Sequence, residues 1–381
     1  MKVRLGDYIE EYSVRNKKGE DIPVYSVTNT QGFCKDYFGK EVASKDKTTY
    51  KIVPRGCFAF NPSRINVGSV DWQRNEERVI VSPLYNVFSV SEQLDQQYLY
   101  YYLKSDFALQ RIRAVATGSV RDNLKLAMLY EFPIELPDIT EQRIIVDKLD
   151  RVKQIISLRE KEVQALDDLI RARFVEMFGD MLINPKGLAE QRLDTLADIV
   201  SGITKGRKVK TNELYKVPYM AVSNVKDGYI DWTTVKTIMA TAAEIDQYRL
   251  MPGDVLMTEG GDPDKLGRGA IIHEPPKDCI HQNHIFRVRL KQDILLSTYM
   301  AQYLQHQKAK RYFLGCAKQT TGIASINMRQ LSALPVLVPS MKEQEEYAAF
   351  VAQVDKSKAV IQKSLDETQL LFDSLMQKYF G

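Results

Sequence analysis

A chain of 381 residues with 53 basic and 49 acidic side chains, 27% charged and 44% hydrophobic, suits two globular units, since single cores rarely grow past roughly 250–300 residues. That balance excludes a disordered tail and a collagen-like fibre, and the four cysteines, Cys34, Cys57, Cys279 and Cys316, lack the spacing of a disulfide framework or a zinc ribbon. There is no apolar run of about 18 residues and no apolar signal core at the start, so a cytoplasmic protein without membrane contact is expected. The net charge of +4 is too small to announce a nucleic-acid partner, but residues 181–340 carry 21 basic and 15 acidic side chains against 19 and 18 in residues 1–138.

Residues 1–138 read as a first head of mixed α and β structure. Strand signals fall at Val79 to Val81 and Val87 to Val90, a helix is expected around Asp95 to Val115, and Gly, Pro, Asn and Ser punctuate the rest. The stretch RGCFAFNPSRINVGSVDW, Arg55 to Trp72, is expected as a turn-rich loop presenting Asn61, Ser63, Arg64 and Asn66. Arg and Asn are the side chains that pair bidentately with guanine and adenine edges, although an Asn-Pro turn capped by its neighbours accounts equally well for any one of them. Arg15, Lys17, Lys18, Lys45 and Lys47 sit beside turn formers and suit phosphate contacts. Asn29, Arg121 and Asn123 complete the candidates of this head.

Residues 139–180 contain one Gly, at position 179, and place apolar residues at Leu149, Ile156, Val163 and Ile170, every seventh position, with Ile145, Val152 and Leu166 in a companion row. This is a coiled-coil seam on a helix of about 40 residues, roughly 60 Å long. Arg159 and Arg173 interrupt the companion row. Asp138 with Glu141 has capping-box spacing, and Gly179 suits the position just past the helix.

Residues 181–340 read as a second head, with a strand at His284 to Leu290 and a helix around Leu296 to Leu314. Its candidates are Thr204, Lys205, Arg207 and Lys208 in SGITKGRKVK, then Asn224, Arg268, His281, Asn283, Lys318 and Asn327. Residues 341–381 form a second long helix with Val351, Val354, Ile361, Leu365, Phe372 and Leu375 on its seam, interrupted by Lys358 and Thr368, and with Ser340 and Glu343 at its start.

The chain is written twice. FPIELPDITEQ (132–142) aligns without a gap on LPVLVPSMKEQ (334–344), and Phe178-Gly179 falls on Phe380-Gly381 at the same spacing. Upstream, Tyr98-Leu99 and Tyr102-Leu103 match Tyr299-Met300 and Tyr303-Leu304, and the segment ending at Asn29 matches that ending at Asn224. Drifting offsets mean variable loops on a shared frame. The expected fold is α+β, two mixed α/β heads separated by two long antiparallel helices forming a coiled coil, with an internal pseudo-twofold repeat. Such a pseudo-symmetric molecule suits duplex DNA, whose local twofold axes present two half-sites in opposite orientation.

Catalytic readings fare poorly. Cys279, His281 and His284 tempt a zinc site, but if His281 and His284 lie on one strand their odd separation points them to opposite faces, so no metal is expected. The Gly-rich EGGDPDKLGRG has neither GxxxxGK[ST] nor GxGxxG, and no Ser, His, Asp triad is identifiable.

With NPSRINVGS, the LPDITEQ and VPSMKEQ starts of long helices, the doubled layout and the SLMQKYFG ending together, the whole chain resembles the DNA-specificity subunit of type I restriction-modification systems. The resemblance implies that each head is a target-recognition domain for one part of a split, asymmetric double-stranded DNA target and that the helices form a spacer docking two modification subunits. It further implies that methylation of adenine with S-adenosylmethionine, and ATP and Mg chemistry in the restriction or motor subunits, belong to partners, with no cofactor in this chain. The second head has no close counterpart of NPSRIN. Two competing readings are a self-sufficient DNA nuclease or methyltransferase and a coiled-coil protein-binding adaptor.

Overall fold

The computed structural model describes residues 2–35, 46–116, 123–208, 213–262, 266–320 and 323–381. The chain forms two compact units, Met1–Lys161 with Gln362–Gly381, and Glu162–Ile361. Each unit therefore takes the beginning of one long helix and the end of the other.

The duplication seen in the sequence is also topological. The first unit holds a four-stranded antiparallel sheet in the order Ile9–Glu11, Asn86–Val90, Phe58–Phe60, Val70–Trp72. The second holds Ala197–Ser201, Ile285–Leu290, Val255–Thr258, Gly269–Ile271, so that in both the last strand in sequence lies between the first and second. Runs of mainly apolar residues make these central strands buried on both faces: Phe58 stacks on its cross-strand partner Phe88 at 5.0 Å, and Val255, Leu256, Met257 and Thr258 are all buried. In each unit the N-terminal strand pairs with the strand just before the long helix, Lys2–Arg4 with Pro133–Glu135 and Ala189–Arg192 with Pro335–Val338.

The helix expected around Asp95 to Val115 is two helices, Gln96–Lys104 and Asp106–Val115, and its counterpart is likewise Ser297–Gln305 and Gln307–Cys316. Ser105 and His306 adopt extended backbone at the break and cap the following helix through their side chains, Ser105 accepting from the Ala108 amide and His306 Nδ1 from the Lys308 amide. Apolar periodicity runs through both helices and does not register the break.

Two tyrosines per copy explain the repeated Tyr pairs. Tyr98 and Tyr102 donate to the carbonyls of Glu135 and Pro133, and Tyr299 and Tyr303 donate to those of Leu337 and Pro335. The repeated Gln is likewise structural. Gln142, fully buried, accepts from the Asp95 amide and donates to the carbonyls of Gln93 and Pro137; Gln344, also fully buried, accepts from the Leu296 amide and donates to those of Ile294 and Pro339.

The long helices run Ile139–Phe178 and Met341–Phe380, 40 residues each. Asp138 accepts from the Thr140 and Glu141 amides, Ser340 and Glu343 bond reciprocally, and Gly179 is left-handed at φ +80°. Within the first unit Ile145 and Leu149 share a core with Phe372, Leu375 and Phe380, while within the second Ile170 and Phe174 share one with Tyr347 and Val351. Rising numbers on one helix meet falling numbers on the other, so the pairing is antiparallel. Every apolar seam residue named above is buried or half-buried; of the polar interruptions, Arg159 donates to the Ser364 carbonyl and Thr368 hydroxyl across the seam and Lys358 pairs with Asp167, whereas Arg173 pairs with Glu176 on its own helix. The closing residues match too, Phe380 packing 5.0 Å from Tyr98 and Phe178 5.0 Å from Tyr299. No helix among the described residues is long and apolar enough to cross a membrane.

Candidate nucleic-acid interface

In the first unit the segment expected as a loop from Arg55 to Trp72 is a β-hairpin, Phe58–Phe60 and Val70–Trp72, whose connection carries the candidates. Asn61 and Ser63 are spent on that turn: the Asn61 side-chain oxygen accepts from the Ser63 amide at 3.1 Å and hydroxyl at 2.9 Å, and its carbonyl accepts from the Arg64 and Ile65 amides. Asn61 and Ser63 thus shape the loop rather than extend from it. Arg64 is exposed, with no hydrogen bond or ion pair to its side chain among the described residues, and Asn66 is half-buried with its carbonyl held by Arg113. Asn29 is exposed in the turn between strands Ser26–Thr28 and Gly32–Cys34.

A second group lies on the turn following Arg15. Buried Asn16 closes it by exchanging bonds with Glu20, which leaves Lys17 and Lys18 exposed at the tip, and Arg15 is exposed beside its bridge to Lys51. Lys47 is half-buried near this turn. Lys45 and Arg121 lie outside the described residues, and Asn123 is exposed at their margin.

In the second unit, three chain segments meet. The Ile203 amide donates to the His281 carbonyl, the Asn283 amide to the Ile203 carbonyl, and the Ser201 hydroxyl to the Asn283 carbonyl at 2.6 Å. Gly202 is required here, because a Cβ would run into the His281 carbonyl. This packing brings exposed Thr204 and Lys205 together with half-buried Asn283, and Lys208 is exposed further along the loop. His284 and Glu259 join them: the His284 Nδ1 lies 2.6 Å from the Glu259 carboxylate, and the Glu259 amide donates to the His284 carbonyl. Lys318 is exposed on strand Lys318–Thr320, in the same small sheet as Gly260–Gly261, and Asn327 caps the helix Met328–Ser332 by accepting from the Gln330 amide.

Three candidates, His281, Asn224 and Arg207, are corrected by burial or pairing. His281 is fully buried with Nδ1 3.1 Å from the Ile285 carbonyl, and burial lowers its pKa to about 4, so it packs as a neutral ring. Asn224, also fully buried, holds its own turn through the Ala221 amide, the Asp231 carbonyl and Thr234. Arg207 is committed to a two-point pair with Glu244, which holds that carboxyl down at about 2. Arg268 is half-buried with its Nε enclosed.

His281 and His284, the histidines that tempt a zinc site, do not share a strand. His281 belongs to the short strand Ile280–His281, paired with Tyr215–Met220, while the next strand begins at Ile285, so the two histidines are separated by a turn and not by one strand's alternation. Among the described residues no three His, Cys, Asp or Glu side chains gather as metal ligands.

Sequence reasoning missed Lys104, Arg113, Glu259 and His284 as parts of these surfaces. The first two end up beside the loops only through tertiary packing. Glu259 carries an unfavourable charge for DNA, and its signal would have been the ability of a carboxylate to accept from a cytosine amino group.

The model of the type I restriction modification DNA specificity domain matches residues 3–167 and again 185–369. The chain is 23% identical to the EcoKI specificity subunit of Escherichia coli (strain K12), and 23% identical to the StySPI specificity subunit of Salmonella potsdam, in each case over 98% of this chain and 84% of the relative. Among solved structures, it resembles a chain of a type I R-M system described for its complex assembly and conformational transition, with TM-score 0.57 and 20% identity over 100% of this chain and 97% of that one. It also resembles the type I restriction-modification S subunit from M. genitalium, with TM-score 0.54 and 15% identity over 100% and 96%. These likenesses show a shared fold.

Proposed function

As the chain belongs to the type I restriction modification DNA specificity family, we propose that it selects the DNA target of such a system by reading a split, asymmetric duplex sequence, one part with each head. The observation that carries this reading is a frame repeated bond for bond, Gln142 with Gln344 and Tyr98 and Tyr102 with Tyr299 and Tyr303, carrying unlike surface segments: exposed Asn29 and Arg64 with half-buried Asn66 in one head, exposed Thr204, Lys205 and Lys318 with half-buried Asn283 in the other. A frame kept twice while its loops diverge supports two readers of different sequences. The basic loops supply phosphate contacts that set register, and the amide and guanidinium groups read base edges.

The paired helices then set the gap between the half-sites and dock two modification subunits, which would carry S-adenosylmethionine and methylate adenine, while restriction subunits would use ATP and Mg. This chain would contribute recognition and no catalysis. The nuclease or methyltransferase and adaptor readings draw no support from the relatives.

Methylome sequencing of cells carrying this chain with its modification subunits tests the reading, with one split motif of unlike halves expected; methylation without such a motif would end it. Deleting one heptad from each helix, Val152 to Leu158 and Val354 to Val360, removes about 10 Å of helix and should shorten the preferred gap by about three base pairs. An unchanged gap would remove the ruler role.

A further inference from the structure

Lys104 ends the helix Gln96–Lys104, and its Nζ donates to two backbone carbonyls from distant parts of the chain, Asn29 at 3.0 Å and Gly68. Asn29 belongs to the turn between Ser26–Thr28 and Gly32–Cys34, and Gly68 closes the connection that carries Arg64 and Asn66. One ammonium group thus ties together the two loops bearing the first head's reading candidates.

Asp71 completes the arrangement. Its buried carboxylate accepts from the Phe33 amide at 3.1 Å and the Trp72 amide at 2.9 Å, and the same hairpin lies so close that a Cβ at Gly32, where φ is +63°, would strike it. Burial pushes Lys104 down to about 8, opposed by the Asp71 charge, and pushes Asp71 up, opposed first by Arg74. Lys153 adds a like charge that lowers Lys104 further, and the Tyr100 ring lies 5.5 Å from Nζ. A partly desolvated ammonium is costly unless its donors are used. Here they are used on loop backbone, which gives the cost a mechanical return.

The second head is built differently at this point. The aligned Tyr102-Leu103 and Tyr303-Leu304 place Gln305 where the first head has Lys104, and the neutral Gln305 amide lies against Gly228. The clamp therefore belongs to one head and not to the common frame.

We infer that Lys104 is a positioning residue for the first head, locking the Asn29 turn against the loop from Asn61 to Ser69 so that Asn29, Arg64 and Asn66 meet the duplex as one surface. The inference rests on the DNA-reading function proposed above.

The test uses the full chain with its modification subunits and duplex pools randomised in one half-site at a time, the first head's half being identified by exchanging residues 1–138. Lys104→Met should lower discrimination in that half by roughly tenfold or more, leave the other half unchanged, and speed amide hydrogen exchange in residues 29–33 and 64–69. Lys104→Arg, which keeps charge and donors, should restore most of the discrimination. Wild-type discrimination in Lys104→Met, or an equal loss in both halves, overturns the inference. Should Lys104→Met fail to fold, Lys104→Gln is read against the same outcomes. A wild-type complex that selects no split motif refutes the proposed function instead, and the exchange measurement still decides whether Lys104 holds the loops.

Discussion

The two heads share a skeleton and differ in how their polar residues are spent. In both, a buried Gln anchors the start of a long helix and two tyrosines hold the strand before it. Around that skeleton the first head ties its Asn29 and Arg64 loops through one ammonium group, Lys104, beside Asp71, while the second joins Thr204, Lys205 and Asn283 through backbone and hydroxyl bonds and places its charged pairs elsewhere, Arg207 with Glu244, Arg287 with Asp198 and Arg289 with Asp254. All four histidines lie in the second head, and each unit contains one tryptophan, Trp72 or Trp232. The difference teaches that equivalence in this molecule is carried by buried hydrogen bonds, and individuality by what reaches the loops.

The largest expected effect attacks the shared skeleton. Gln142→Leu strands a buried amide and two carbonyls, and Gln344→Leu does the same in the other unit, so each should cost its unit about 3–5 kcal/mol. Urea unfolding followed by Trp72 fluorescence in a Trp232→Phe background, and the reverse, measures the two separately. Costs differing by more than about 1.5 kcal/mol would break the equivalence.

Acid should separate the heads next. His281 titrates near 4 in the folded chain against 6.5 when unfolded, so between those values the unfolded chain binds the extra proton. Stability of the second unit should therefore be complete above about pH 6.5 and fall as pH drops through 4, by up to about 3 kcal/mol. His306, also lowered by burial though opposed by Asp180, adds in the same direction. His281→Met should flatten most of the slope seen by Trp232 and leave that seen by Trp72 unchanged; a slope surviving in His281→Met would assign the acid response elsewhere.

Smaller changes are expected along the seam. Replacing Arg159 and Thr368 together by Leu and Val exchanges a half-buried polar contact for packing and should be neutral or stabilise by about 1 kcal/mol, whereas Lys358→Met, removing a pair with partly exposed members, should cost less than about 1 kcal/mol. The smallest effect separates two basic neighbours: Lys205→Ala should reduce the salt dependence of DNA binding by about one counterion, while Arg207→Ala should leave that slope unchanged and lower stability through Glu244. A slope change in Arg207→Ala would return Arg207 to the interface.

Side-chain chemistry nominates the candidate interface, and burial sorts it. Arg64 and Lys205 reach solvent, but His281, Asn224 and Arg207 carry equally suitable groups and are consumed within the fold. Nothing local in CIHQNH distinguishes the buried His281 from the exposed His284, since the distinction arises when strand Tyr215–Met220 pairs with Ile280–His281. The breaks at Ser105 and His306 leave no mark on the apolar pattern for a related reason, because periodicity continues across them and each carries only a single capping side chain.

What the amino-acid order determined by itself was the duplicated frame, the two 40-residue helices and their seam, because periodicity, capping residues and repeated motifs act over a few turns of chain and leave their mark in neighbouring letters. Tertiary structure alone decided that each compact unit is closed by the far end of the other copy's helix, with Phe380 against Tyr98 and Phe178 against Tyr299. It also decided which polar side chains remain free. Both outcomes depend on solvent exclusion between segments far apart in sequence, a property that no single stretch of residues possesses.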